Sequence, residues 1–96
     1  MIEIPLSGGA ANAHQSLSVQ LGDKFVDLEI NYVTRFSCWT MNAYLDDVLL
    51  IAGAMLLPSA EISASFRAGL GKFVMLGETP TLDNLGKNNK LVWIDG

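Results

Sequence analysis

The chain holds one cysteine and one histidine, and each scarcity removes a class of function. Cys38 stands alone, so no internal disulfide can staple the fold, and a reducing site of folding is the natural expectation. A Cys/His nucleophile pair would need His14 to meet Cys38, with a third group orienting the base. Cys38 precedes Trp39 in a segment read as strand, where a free cysteine behaves as a small hydrophobe. No Cys-x-x-Cys, His-x-x-x-His or Asp-x-Asp-x-Asp spacing supports zinc or calcium. No catalytic, metal-binding or cofactor-binding residue is therefore assigned, and the chain is expected not to be an enzyme.

Positive charge is equally thin. The six cations Lys24, Arg35, Arg67, Lys72, Lys87 and Lys90 are scattered, and the net charge is −4. With no basic cluster to neutralise phosphates, nucleic acid is not an expected partner. The longest apolar run, Val48 to Leu57, contains Gly53 and falls well short of the roughly 20 residues that cross a bilayer. Met1 to Pro5 lack the basic start and apolar block of a signal peptide, so neither export by a visible signal nor membrane insertion is expected. Charged residues of both signs make up only 17% of the chain, against a norm of about 25% in globular proteins. With so little charge, either the surface of this small domain is rich in Ser, Asn, Gly and Thr, or part of it is buried against other chains, the reading that exposed apolar area favours.

What the chain does have is hydrophobicity, 50% of its 96 residues, arranged with a period of two. Leu17, Val19 and Leu21 alternate with Ser16, Ser18 and Gln20, the pattern of a strand with one buried and one wet face. Gly22-Asp23 suits a two-residue hairpin turn. The return strand carries Val26, Leu28, Ile30 and Tyr32 on one face and Asp27, Glu29 and Asn31 on the other. A third alternation runs through Trp39, Met41, Ala43 and Leu45. Asp46-Asp47 is predicted to turn, because short acidic side chains tolerate left-handed backbone. As paired carboxylates the two aspartates would be candidates for acid/base or metal work, but neighbours in a turn both point to water.

Val48 to Ala52 is apolar on both faces, which fits a buried helix or a central strand; the preceding turn and Gly53 favour the strand, with a bulge at the glycine. Pro58-Ser59-Ala60 breaks the pattern, and Glu61 to Phe66 fits either a short strand or irregular chain. Lys72 to Leu76 and Lys90 to Ile94 are predicted strands, as is Ile2 to Ile4. Thr79, Pro80 and Gly86 carry helix start and stop chemistry, which predicts one short helical turn near residues 81–85. Ser7-Gly8-Gly9 could cradle an anion, but no lysine or following helix completes a phosphate site; a closely packed or flexible loop is the plainer reading. The sum is a single β-rich domain over residues 1–96, an all-β, small antiparallel β-sandwich or barrel of about seven short strands.

The aromatic residues divide between core and surface. Trp39 shares the Met41/Ala43/Leu45 face and belongs to the core. Trp93 lies on a strand apolar on both sides, so it is a candidate for core or interface, tryptophan being enriched at interface centres. Phe25 and Tyr44 complete the candidate interface residues, and Phe36 joins them as a candidate surface aromatic for a peptide- or glycan-binding module, the alternative to an assembly subunit.

Two stretches resemble a known family. Ile4 to Asp23, which reads Ile-Pro-Leu-Ser-Gly-Gly-Ala-Ala-Asn-Ala-His-Gln-Ser-Leu-Ser-Val-Gln-Leu-Gly-Asp, resembles the start of baseplate plug proteins of contractile-tailed bacteriophages, cyanophages included. Gly77-Glu-Thr-Pro-Thr-Leu-Asp-Asn-Leu-Gly86, followed by Lys90-Leu-Val-Trp93, resembles their other recurring element. Between them Tyr32-x-x-Arg35-x-x-x-Trp39 and Gly53-Ala-Met-Leu-x-Pro58 fit the same layout. Asp46-Asp47 departs from it where a glycine would be expected. The resemblance implies a structural virion part of the tail baseplate that plugs or connects the tube end with the spike and hub. It also implies hub, spike and tail-tube proteins as partners, several symmetry-related copies, and host cytoplasm as the place of assembly.

Overall fold

A computed structural model of the chain describes residues 2–58, 62 and 71–94. Seven strands follow in order: β1 (Ile2–Ile4), β2 (His14–Leu21), β3 (Lys24–Val33), β4 (Cys38–Leu45), β5 (Val48–Met55), β6 (Lys72–Gly77) and β7 (Asn89–Ile94). They form two antiparallel sheets. One is a four-stranded meander in the order β2-β3-β4-β5; the other, in the order β1-β7-β6, joins the two ends of the described chain. The sheets do not close into a barrel, so of the two architectures expected the sandwich is the one formed. The segment Glu61 to Phe66, open to either reading in the sequence, lies outside the described residues except for Ile62.

The period-two alternation decides which side chains point inward. Val26, Leu28 and Ile30 of β3 and Trp39, Met41 and Ala43 of β4 have no exposed surface, and they face Ile4, Phe73, Met75, Leu91 and Trp93 of the other sheet in one apolar cluster. Each such side chain contributes roughly 1.5–3 kcal/mol on burial, most of it offset by the conformational entropy lost in ordering the chain. Trp39 also packs edge-on against Tyr32 at 5.3 Å between ring centroids. Its indole N–H donates to the Thr81 carbonyl at 2.8 Å, which ties the meander to the segment before β7 and satisfies the ring's one polar atom.

The turns follow their residue chemistry. Leu21 pairs with Lys24 across Gly22-Asp23, as the sequence predicts. Asp46 and Asp47 both hold left-handed backbone, at φ 51° and 65°. That is the requirement of a type I′ hairpin, which aspartate meets better than most non-glycine residues. The turn expected at Asp46-Asp47 is thus present, with Leu45 paired to Val48 across it.

Two expectations need correction or refinement. The first concerns β5, which lies at an edge of the meander rather than in its centre, and leaves Val48, Leu49 and Met55 exposed. Its pairing with β4 shifts register twice, on either side of the Ala43–Ile51 pair. Gly53, at φ 67°, sits in the second irregularity, where its N–H donates to the Asn42 side-chain oxygen at 2.7 Å. The bulge expected at Gly53 is present, but apolarity on both faces reflects a strand whose outer residues stay uncovered. The second concerns residues 81–85, which form consecutive turns over Leu82–Lys87 and no helix; the helical pieces among the described residues are 3-10 turns at Ala10–Asn12 and Thr34–Phe36. Thr81, not Thr79, does the capping. Its hydroxyl accepts from Asn84 N–H at 3.2 Å while Asn84 Oδ1 accepts from Thr81 N–H at 2.6 Å.

Candidate interaction surface

The outward face of the meander is built by the residues that alternate with the core positions. Register places Ser18, Asp27, Tyr44 and Leu49 side by side in one row, and Ser16, Glu29 and Asn42 in the next. His14, Asn31, Thr40 and Met55 form a third row, with Val33 and Cys38 beyond it. The face is therefore polar in its middle and apolar towards both ends, with Phe25 at one end and Val33, Cys38 and Met55 at the other.

The polar middle holds three separate groups of hydrogen bonds. The Ser18 hydroxyl donates to Asp27, and His14 is hydrogen-bonded to Asn31. Glu29 accepts from the Tyr44 hydroxyl at 2.8 Å and from the Asn42 amide at 3.3 Å. The Tyr44 hydrogen bond, then that of Asn42, holds the Glu29 carboxyl below its usual range, while the same bond to Glu29 raises the Tyr44 phenol above its own. Among the described residues no cation pairs with Asp27, Glu29 or Asp47. The one ion pair among those residues, Lys90 with Glu3 at 3.6 Å, lies on the other sheet. Ser16, Ser18, Asp27, Glu29, Tyr44 and Asp47 line a hollow of about 580 Å³. The apolar end forms a second one, of about 510 Å³, between Val33, Phe36, Cys38, Thr40, Gly53 and Met55. Arg35 lies over the Phe36 ring at 5.6 Å, which leaves that ring's other surface at the rim.

The residues singled out in the sequence are thus separated. Phe25 is 64% exposed and Phe36 69%, at opposite ends of the face. Tyr44 is half-buried and bonded to Glu29, and Trp93 is buried in the core cluster between the sheets. His14 and Cys38 each sit in a strand, the histidine bonded to Asn31 and Cys38 paired in register with Val33. No group of three or more metal-ligating side chains is present among the described residues.

Sequence reasoning missed the meeting of two loops. Gly9 N–H donates to the Leu82 carbonyl at 2.6 Å, and a Cβ on Gly8 would stand 2.7 Å from the Asp83 carbonyl oxygen. A Cβ on Gly86, at φ 81°, would collide with the Leu6 carbonyl. Gln15 reaches back to the Ser7 and Asn12 carbonyls at 2.7 and 2.9 Å. Ser7-Gly8-Gly9 is accordingly a packed loop, with the Ser7 and Gly9 N–H groups donating to the Gln15 side-chain oxygen and the Leu82 carbonyl. Asn89, buried beneath the second loop, accepts from Gly86 N–H at 2.8 Å and donates to the Glu78 carbonyl and Asn84 at 3.2 Å. Its place in a run of Asn and Lys gives no sign of this in the sequence.

The comparison with family models is direct: the one described as cyanophage baseplate Pam3 plug gp18 matches residues 1–96, the whole chain. No curated protein matches it.

Proposed function

The chain belongs to the cyanophage baseplate plug family, which makes it a structural component of the virion tail baseplate in contact with other baseplate proteins, and from that premise we propose that it plugs or connects the tube end with the hub and spike region. The observation that carries this reading is the family match over every residue, since a plug is defined by what it contacts and blocks. The meander supports it. Phe25, Phe36, Val48, Leu49 and Met55 all keep large apolar surface exposed on one sheet, which is where partner chains would bury it.

In this reading the interface uses the outward face and the β5 edge of the meander, with Phe25 and Phe36 as its aromatic anchors and Tyr44 in its polar middle. Trp93 serves by holding the two sheets together. The partners are hub, spike and tail-tube proteins, and the chain folds in the host cytoplasm before it joins the particle. The work is done by filling space and pairing surfaces, so neither a cofactor nor a catalytic group has a part in it.

Mass spectrometry of purified virions tests the proposal, with copy number scaled to the tube protein. About three or six copies per particle are expected, because an axial part follows the symmetry of its neighbours. Absence from mature particles, or a copy number close to that of the tube protein, would overturn it.

A further inference from the structure

The four strand edges are guarded unequally. β1 has only three residues. β6 is bridged by Pro58 to Met75 and takes the Ile62 N–H on its Phe73 carbonyl at 2.7 Å. β5 is broken by two register shifts. These are the usual protections against addition of a foreign strand: shortness, cover and bulges. Among the described residues β2 has none of them. It runs eight residues in unbroken register with β3, contains no proline and carries no Lys, Arg, Asp or Glu.

The hydrogen-bond phase of β2 can be read from its start. Tyr32 N–H donates to the Ala13 carbonyl at 2.7 Å, so Ala13 and every second residue after it turn their main-chain groups towards β3. His14, Ser16, Ser18 and Gln20 therefore turn their N–H and C=O groups outward to the open edge. Leu17 and Val19 are only partly buried against the core on the inner side, which a further strand would cover.

The outer side says what such a strand carries. A strand added beside β2 lies about 10 Å from β3, two strand spacings away. Between them stand the short Ser16 and Ser18, which leave the acidic hollow open towards the edge. Only a long side chain spans that gap, and the carboxylates of Asp27 and Glu29, hydrogen-bonded but with no cation beside them among the described residues, select a cationic one. The hydrogen bonds from Tyr44 and Asn42 keep Glu29 ionised.

We propose that β2 is a strand-addition site for an extended segment of another protein with Lys or Arg at alternate positions, main-chain bonds to His14–Leu21 giving affinity and Asp27 and Glu29 giving selectivity. This deepens the baseplate reading by naming an edge and the chemistry of its partner, and it is tested apart from the virion census.

The test is an NMR titration of the full chain with two peptides of about eight residues, matched to the length of β2. One alternates Lys with Val, the other Glu with Val. The expected result is slowed amide exchange confined to His14, Ser16, Ser18 and Gln20 with the Lys peptide alone, weakened by added salt. Asp27→Asn, which keeps a hydrogen-bonding group beside Ser18, is expected to weaken binding about fivefold. Ser18→Pro removes one outward N–H at a position where an edge strand tolerates proline, and is expected to abolish binding while the spectrum of the core is retained. Equal binding of the Glu peptide, protection at β5, or no effect of Ser18→Pro would each overturn the proposal. Concentration-dependent protection of β2 without any peptide would overturn it in favour of a second copy of the chain.

Discussion

The two sheets are both antiparallel, but they are assembled in opposite ways. The meander β2-β3-β4-β5 is consecutive in sequence: two-residue turns join β2 to β3 and β4 to β5, and a single 3-10 turn joins β3 to β4. The sheet β1-β7-β6 pairs the beginning of the chain with its end, and most of the chain lies between β1 and β7. Local hairpins close cheaply, whereas a pairing across a whole chain forms only when other contacts hold its ends in place. Those contacts are the packed loop Leu6–Gly9 against Leu82–Gly86, the buried Asn89 and the Trp39–Thr81 hydrogen bond. The smaller sheet with its two loops is the clamp that keeps the meander's inner face dry.

The sharpest way to break this contrast is at Gly86. Gly86→Val forces a β-branched residue into φ 81° and onto the Leu6 carbonyl, and is expected to cost more than about 3 kcal/mol. In a urea melt followed by hydrogen exchange, amides of β1 and β7 should lose protection before those of β3 and β4. Equal loss in both sheets would show that the clamp and the meander unfold as one.

Next comes Asn89→Leu. It leaves Gly86 N–H and the Glu78 carbonyl without their buried partner, and a loss of about 1–3 kcal/mol is expected in the same melt. A smaller loss than that of a surface Asn88→Leu control would remove Asn89 from the clamp.

On the meander's outer face the expected effects are smaller and depend on pH. Glu29 has its folded pKa depressed, so its contribution to stability is present above the unfolded value and lost as pH falls through the folded one. Tyr44 has its folded pKa raised, so its contribution is present below the unfolded value and lost as pH rises through the folded one. Tyr44→Phe removes the larger of the two hydrogen bonds acting on Glu29. The NMR titration midpoint of the Glu29 carboxyl should then move up towards the ordinary value of 4.5. An unmoved midpoint would break the link between the two side chains.

The smallest change is a gain. Asp47→Gly places Asp-Gly in the hairpin loop, the preferred pair for two positive φ values, and should stabilise the chain by about 0.5 kcal/mol. Thermal unfolding checks it. A loss would mean that the Asp47 side chain has a role the turn geometry does not require.

Much of the meander was legible in the sequence because its causes are local. Leu17/Val19/Leu21 against Ser16/Ser18/Gln20, and Val26/Leu28/Ile30 against Asp27/Glu29/Asn31, assign faces without reference to any distant residue. Asp46-Asp47 announced its turn through the same short-range chemistry. The reading of β5 as central failed for a non-local reason: apolarity on both faces states that both faces avoid water, not which chain provides the cover. Thr79 was misread as the cap because Thr79 and Thr81 are equivalent in composition, and only Asn84, folded back on Thr81, distinguishes them. Trp93 stayed open between core and interface until a second sheet stood opposite it.

The order of residues by itself determined the strands, their faces, the tight turns of the meander and the family to which the chain belongs. Each depends on a period of two, on the φ preferences of a few turn residues, or on motifs kept in sequence. Tertiary structure alone decided that the two ends pair, that β5 and β2 are edges, and that, among the described residues, β2 is the unguarded edge and Asp27 and Glu29 have no cation beside them. These are relations between segments far apart in the chain, set by which surfaces pack together and which remain in water.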